Sequence, residues 1–546
     1  MSYSLYKGYK IMMNDDFTPW PENISKRYKE LGYWQDKTLF DHLHETALSS
    51  PDAPAICCGD ITYSYQDFLD RIYKLSAGFM QLGLKPGDNV VLQINNTAEF
   101  YFSFFALTMK GITPVLALPA HRYLELSYFC NHAGARAYIF SDHVSGLTSR
   151  NMANQLIKEC KTLDYAITTG ETGQSNLISL QNLYITPCMK QYTTADKVAF
   201  FQLSGGTTGT PKLIPRTHND YAYSIVGSNR ICQFNAETRY LCTLPAAHNF
   251  PLSSPGALGT FFAGGCIVLS LDSSPENNFS LIEKHRVNTC ALVPPLALLW
   301  MQYAQNAQQD ISSLELIQVG GAKFSENAAN KFPLILDCTL QQVFGMAEGL
   351  VNYTRLDDPI DIITKTQGRP ISEHDEILIV SEEGLPVMLG EEGQLMTRGP
   401  YTIRGYYKAA GHNQRSFDKN GFYATGDLVR QTPEGNIIVT GRNKDQINRG
   451  GEKIATEEIE NILLEHNGIH DVALVAVPDE FLGEKSCAII VCNQNVNLKP
   501  VSIKKFLYEQ GIAEYKIPDH INFRQKLPKT AVGKINKKAL RAEYST

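Results

Sequence analysis

An apolar run, Val198-Ala199-Phe200-Phe201-Gln202-Leu203, leads through Ser204 into Gly205-Gly206-Thr207-Thr208-Gly209-Thr210-Pro211-Lys212, and no other segment constrains this chain as strongly. The run reads as a buried strand. The glycines that follow let backbone N–H groups close on an anion without Cβ obstruction, while the threonine hydroxyls and Lys212 add donors and positive charge, so the loop suits phosphate. It is not a Walker loop, which places lysine directly after its last glycine and Ser or Thr after that lysine; here Thr210-Pro211 intervene and Leu213 follows Lys212. P-loop kinases and GTPases are thereby excluded. Taken alone, the segment also fits a flexible turn between a strand and a helix.

Four further segments decide between those readings: Phe344-Gly345-Met346-Ala347-Glu348-Gly349, Tyr423-Ala424-Thr425-Gly426-Asp427, Gly441-Arg442-Asn443-Lys444-Asp445-Gln446-Ile447 and Pro528-Lys529-Thr530-Ala531-Val532-Gly533-Lys534-Ile535. In this order, behind the Gly/Thr loop, they resemble the adenylate-forming superfamily of acyl- and aryl-CoA ligases, luciferases and adenylation domains. The resemblance spans nearly the whole chain. It implies an α/β fold with a large N-terminal domain, residues 1–441, of layered α/β subdomains plus a β-rich subdomain. A small mobile α+β domain, residues 442–546, would follow, with its hinge at Lys444, two residues after the motif arginine.

Pattern and size agree with that outline. At 546 residues the chain exceeds what one core supports. Helix-period segments such as Phe68–Leu75 alternate with short apolar runs such as Asn89–Ile94, Gly265–Leu269 and Leu316–Gly320, as in layered α/β architecture. From Glu376 to Thr440 the pattern turns to short strands with Gly, Pro, Asn and Asp punctuation. Beyond Arg442, a helix over Thr456–Leu464, with Thr and Glu at capping spacing, and a strand over Asp471–Val477 are expected.

A net charge of −6 argues against a general nucleic-acid or anionic-membrane binder. The twelve cysteines are scattered, and their one close pair, Cys57-Cys58, suits neither a disulfide framework nor a CxxC metal site. The N-terminus lacks the apolar core of a signal peptide, and the apolar stretch Phe100–Leu118 is broken by Lys110, Gly111 and Pro114, so a cytoplasmic protein without membrane spans is expected.

Joining a carboxylate to the α-phosphate of ATP brings two anions together, so it calls for positive charge and orientation rather than a general base. Neither a GxSxG elbow nor an HExxH helix is present. By resemblance, Lys534 is the catalytic cation bridging carboxylate and phosphate, and Glu348 holds Mg²⁺ on the triphosphate. Asp427 accepts from the ribose hydroxyls, with Arg442 nearby. ATP would further be held by Ser204, Gly205, Gly206, Thr207, Thr208, Gly209 and Lys212, by the adenine wall Gly321, Ala322 and Lys323, and by Phe344, Gly345, Met346 and Ala347.

The segment His248-Asn249-Phe250-Pro251-Leu252-Ser253-Ser254-Pro255-Gly256 bears on the acid. Amino-acid adenylation domains carry an aspartate where Asn249 falls, to hold the substrate ammonium; a neutral amide instead suits a hydroxyl. The segment resembles that of aryl-acid adenylating enzymes of catecholate siderophore biosynthesis, which implies a 2-hydroxyl on Asn249 and a 3-hydroxyl on Ser254. Ligation of 2,3-dihydroxybenzoate to AMP is therefore expected, with salicylate as a slower alternative. His248, Phe250, Gly321, Val343 and Val351 would shape the slot around the ring. Phe250 departs from the Tyr of several relatives.

The family passes its acyl group to a thiol by rotating the small domain so that Lys534 leaves and Arg449-Gly450-Gly451-Glu452 approaches, with Gly450 and Gly451 flanking a pantetheine tunnel. No carrier domain is evident after Lys534, so an aryl carrier protein with a phosphopantetheine arm on a separate chain is the expected partner. An aryl-CoA ligase and an inactive nucleotide-binding regulator on the same fold remain as alternatives.

Overall fold

The computed structural model describes residues 17–142, 147–172, 177–204, 211–442, 446–493, 496, 498–528 and 535–544. Gly205 to Thr210, Lys444 and Lys534 lie outside this set, as does the side chain of Arg442.

Among the described residues the strands form four sheets. A seven-stranded sheet runs in the order Ile178–Ser179, Tyr165–Thr168, Ala137–Phe140, Asn89–Gln93, Thr113–Leu116, Val198–Ser204, Lys212–Thr217, parallel except for its last pair. A nine-stranded sheet has a parallel centre that includes Arg239–Cys242, Thr289–Leu292, Leu316–Gly320 and Thr339–Gly345. The apolar runs read from sequence are thus strands buried by helices on both faces. Between the sheets lies the largest core, through which the helix Ala98–Met109 runs with only Glu99 outside its buried set. A helix apolar all round belongs in such a position.

The β-rich stretch is an antiparallel sheet of Glu376–Val380, Gly393–Arg398, Tyr423–Gln431 and Ile437–Arg442. The small C-terminal domain is a five-stranded sheet with its own core, centred on the long hairpin Ile469–Asp479 and Gly483–Cys492. The helix Thr456–Leu464 packs on it.

The Gly/Thr loop is followed by a strand, Lys212–Thr217, antiparallel to Val198–Ser204, and only then by the helix His218–Cys232. Leu213 and Ile214 are buried there, and Pro215 is tolerated because the strand is an edge. Glu348 sits in a turn after the strand Thr339–Gly345. Thr456 is not a cap: Ala455 occupies that position, and the Thr456 hydroxyl accepts from Lys537 Nζ at 2.9 Å. No described helix is long and apolar enough to cross a membrane.

Candidate active site

Parallel strands of both large sheets end at one cleft, the place where open α/β sheets bind ligands. Ser204 follows the strand Val198–Ser204, Gly321 to Lys323 follow Leu316–Gly320, and Gly345 to Glu348 close Thr339–Gly345; all line the cleft together with Lys212. Asp427, 5% exposed, reaches it from the β-rich sheet, in cross-strand register with Arg442.

The turn carrying Glu348 is over-determined. The buried Arg216 guanidinium donates to the Ala347 carbonyl and, at 3.0 Å, to that of Tyr401. Ile403 N–H donates to the Glu348 carbonyl at 2.9 Å. Gly349 has φ +114°, and a Cβ there would lie 2.2 Å from the Tyr401 oxygen, so only glycine fits. The Tyr406 hydroxyl donates to Glu348 Oε1 at 2.7 Å and pairs with the Tyr423 hydroxyl at 2.9 Å, while Lys212 Nζ stands 5.3 Å from the Tyr406 ring centroid. Burial, reinforced by Glu348, pushes both phenols far above their usual range and keeps them protonated. No cluster of three or more His, Cys, Asp or Glu occurs among the described residues. One oriented carboxylate in a cleft also lined by Lys212 fits Mg²⁺, which would keep phosphate and water oxygens as its other ligands.

At the other end, His248 caps the short helix Asn249–Ser253, its Nδ1 accepting from Phe250 N–H at 3.2 Å. Burial, with Lys453 nearby, pushes the imidazole down to about 4, so it is neutral with its proton on Nε2. Asn249, Phe250, Ser254, Gly321 and Val343 line this end. Val351 pairs across from Gly345 and is buried in the same core cluster as Phe250 and Val343.

The small domain closes the remaining side. The hairpin Gln446–Arg449 and Glu452–Ala455 turns through Gly450 (φ +61°) and Gly451 (φ +104°), the two positive φ values a two-residue hairpin turn requires. A Cβ on Gly450 would sit 3.0 Å from Leu482 Cδ2, and one on Gly451 3.0 Å from Val293 Cγ1. Gly451, Glu452 and Lys453 line the cleft. Asn448 Nδ2 donates to the Gly321 carbonyl at 2.8 Å. Deeper along this seam Lys516 Nζ binds Glu125 at 2.9 Å and Glu458 at 2.7 Å, with Lys516 and Glu125 buried and Glu458 half-buried, and Glu125 also accepts from Ala513 N–H at 3.0 Å. On the lysine, burial is outweighed by the two carboxylates and the pKa rises; on Glu125, burial is outweighed by Lys516 and the pKa falls. Leu527 and Ile535, either side of the Lys534 segment, pack on the far face of the small sheet with Leu540, and neither lines the cleft.

Sequence reasoning missed Gln202, Tyr221, Tyr406, Lys453 and Lys516. Lys453 could have been found, since it follows the expected Arg449-Gly450-Gly451-Glu452 loop. Tyr221, Tyr406 and Lys516 carry no local signal.

The chain matches the AMP-binding enzyme family over residues 43–407 and the AMP-binding enzyme C-terminal domain over 458–534. It is 57% identical over 536 residues to the vibriobactin-specific 2,3-dihydroxybenzoate-AMP ligase of Vibrio cholerae, covering 98% of this chain and 99% of that one. It is 50% identical to the 2,3-dihydroxybenzoate-AMP ligase of Bacillus subtilis, covering 97% and 98%. Among solved structures, Mycobacterium smegmatis MbtA in its apo form superposes with a TM-score of 0.75 at 41% identity, covering 97% and 99%.

Proposed function

The chain belongs to the AMP-binding enzyme family, and on that premise we propose that it is an aryl-acid ligase that joins 2,3-dihydroxybenzoate to AMP and passes the aryl group to a carrier-protein thiol in siderophore biosynthesis. The observation that carries this reading is the acid end of the cleft. Where an amino acid's ammonium would need a carboxylate, the amide of Asn249 stands beside the buried hydroxyl of Ser254. Relatives at 57% and 50% identity, named for the same acid, support it.

In the first step a carboxylate oxygen of the acid attacks the α-phosphorus of ATP, the new O–P bond replaces the bond to the β-phosphate, and pyrophosphate leaves. No proton moves. Lys212 and the Gly/Thr loop hold the phosphates, Asp427 the ribose, and Lys534 bridges the two reacting anions. Glu348, held by Tyr406, would bind Mg²⁺, which when bound supplies charge neutralisation on the phosphates.

In the second step the sulfur, as the thiolate after its proton is lost to solvent, attacks the acyl carbon and AMP departs with the bonding pair. The glycine turn at 450–451 would admit the pantetheine arm. The hairpin already stands at the cleft while the flanks of Lys534 lie elsewhere, as the second step needs; rotation near Lys444 would bring Lys534 in for the first.

Acid-dependent exchange of pyrophosphate into ATP tests this. 2,3-Dihydroxybenzoate should lead, with salicylate slower. Exchange only with amino or fatty acids would overturn the assignment of the acid, and none with any acid would favour an inactive regulator.

A further inference from the structure

Asn249 reads a hydroxyl in either of two ways, because its amide has a donor edge and an acceptor edge. The structure distinguishes them. Tyr221, on the helix His218–Cys232, donates its hydroxyl to Asn249 Oδ1 at 2.8 Å, and Ser253 Oγ lies 3.5 Å from the same oxygen. The Tyr221 ring is clamped: Phe200 packs edge-on at 4.7 Å between centroids, and the buried Arg216 guanidinium lies 4.8 Å from its centre on the other flank. Burial lifts the phenol to about 12, so it is a permanent donor at physiological pH. Among the described residues nothing accepts from Asn249 Nδ2, and Asn249 lines the cleft. Beside the Tyr221 hydroxyl, Gln202 is 3% exposed, lines the same cleft, and has its Nε2 buried with no acceptor among the described residues.

We propose that Tyr221 is a positioning residue that holds Asn249 with its N–H₂ toward the acid, so that this end of the cleft selects an ortho substituent that accepts a hydrogen bond. This rests on the aryl-acid reading above. An ortho phenol meets the requirement: its own proton closes an internal hydrogen bond to the neighbouring carboxylate, and its oxygen lone pair remains for Nδ2. An ortho amine does not, since its lone pair is delocalised into the ring and its N–H groups would face the N–H₂ of Asn249. Selection thus falls on the polarity of the ortho group as well as its size, and a buried donor left unmatched is what makes such discrimination strong.

The test is pyrophosphate exchange with 2,3-dihydroxybenzoate, salicylate, 3-hydroxybenzoate and anthranilate (2-aminobenzoate). In the unmodified protein, kcat/KM for anthranilate should lie at least about tenfold below that for salicylate. In Tyr221→Phe, kcat/KM for 2,3-dihydroxybenzoate should fall about tenfold more than that for 3-hydroxybenzoate, mainly through KM, and the anthranilate deficit should shrink. In an Asn249→Ala background the same Tyr221→Phe change should no longer alter the ratio. Equal use of anthranilate and salicylate, or equal losses on all acids in Tyr221→Phe, would overturn the proposal. The unmodified-protein comparison stands even if the variant fails to fold. Absence of exchange with every 2-hydroxybenzoate would instead remove the aryl-acid reading itself.

Discussion

The two ends of the cleft's wall are built from opposite materials. The acid end comes from one domain and is held by neutral groups: Tyr221 on Asn249, His248 on Phe250 N–H, and the buried Ser254. The seam with the small domain is held by ions, Lys516 between Glu125 of the large domain and Glu458 of its own, with Arg122 and Glu514 paired at 3.3 Å near the rim. Neutral hydrogen bonds inside one packed unit fix shape and polarity without stranding charge. A buried ion network spanning two bodies is strong while intact, yet each charge can return to water when the bodies part. Selection of the acid is therefore placed where nothing needs to move, and the charged contact where movement is required.

The sharpest break is Lys534→Ala. Pyrophosphate exchange should fall by roughly 10²–10³, while transfer from preformed aryl adenylate to a thiol falls far less, because the two steps use different faces of the small domain. Equal losses in both assays would mean that the faces are not separate. Next, Asn249→Asp puts a carboxylate against an anionic acid and should lower kcat/KM for 2,3-dihydroxybenzoate about a hundredfold; steady-state exchange kinetics read this directly. Lys516→Met leaves Glu125 and Glu458 together without their cation. Thioester formation should drop about tenfold more than adenylation, measured on the same preparation, whereas a loss confined to adenylation would place the seam contact in the wrong step.

The smallest effect concerns protons. Burial holds His42, His121 and His248 near 4 and His218 near 3 rather than 6.5, which outweighs Asp375, raised by burial to about 7, so folded protein binds fewer protons than unfolded chain across that window. Stability should fall as pH is lowered from about 6.5 toward 4, seen as a drop of a few degrees in Tm by calorimetry. Among the seam ions, Glu125, lowered, keeps its contribution until pH falls through its folded pKa, and Lys516, raised, keeps its own until pH rises through that value, whereas Glu458, raised by burial, takes up its proton first in the folded protein and opposes the imidazoles. A flat Tm across the window would show that the buried imidazoles do not outweigh the raised carboxylates Asp375 and Glu458.

Much of this was legible from residues close in sequence. The apolar runs Asn89–Gln93 and Leu316–Gly320 are strands, Thr456–Leu464 is a helix, and the segments beginning at Ser204, Gly321 and Gly345 do meet at strand ends. Side-chain period and glycine placement act over a few residues, so a single stretch carries the instruction. Val351 shows the limit: an apolar residue beside a site motif reads alike whether it faces ligand or core, and only the fold places it in the cluster of Phe250 and Val343.

The sequence by itself thus determined the family, the two-domain α/β outline and the chemical types gathered for phosphate and acid, because those are written in ordered local motifs. Only the tertiary structure decided that Tyr221 meets the Oδ1 edge of Asn249 and which charges join the domains. Tyr221 lies 28 residues from Asn249, and Ala513 lies 388 from Glu125. Such partners become neighbours through the packing of helices and sheets, and hydrogen-bond polarity and ion pairing exist only once that packing has removed the water between them.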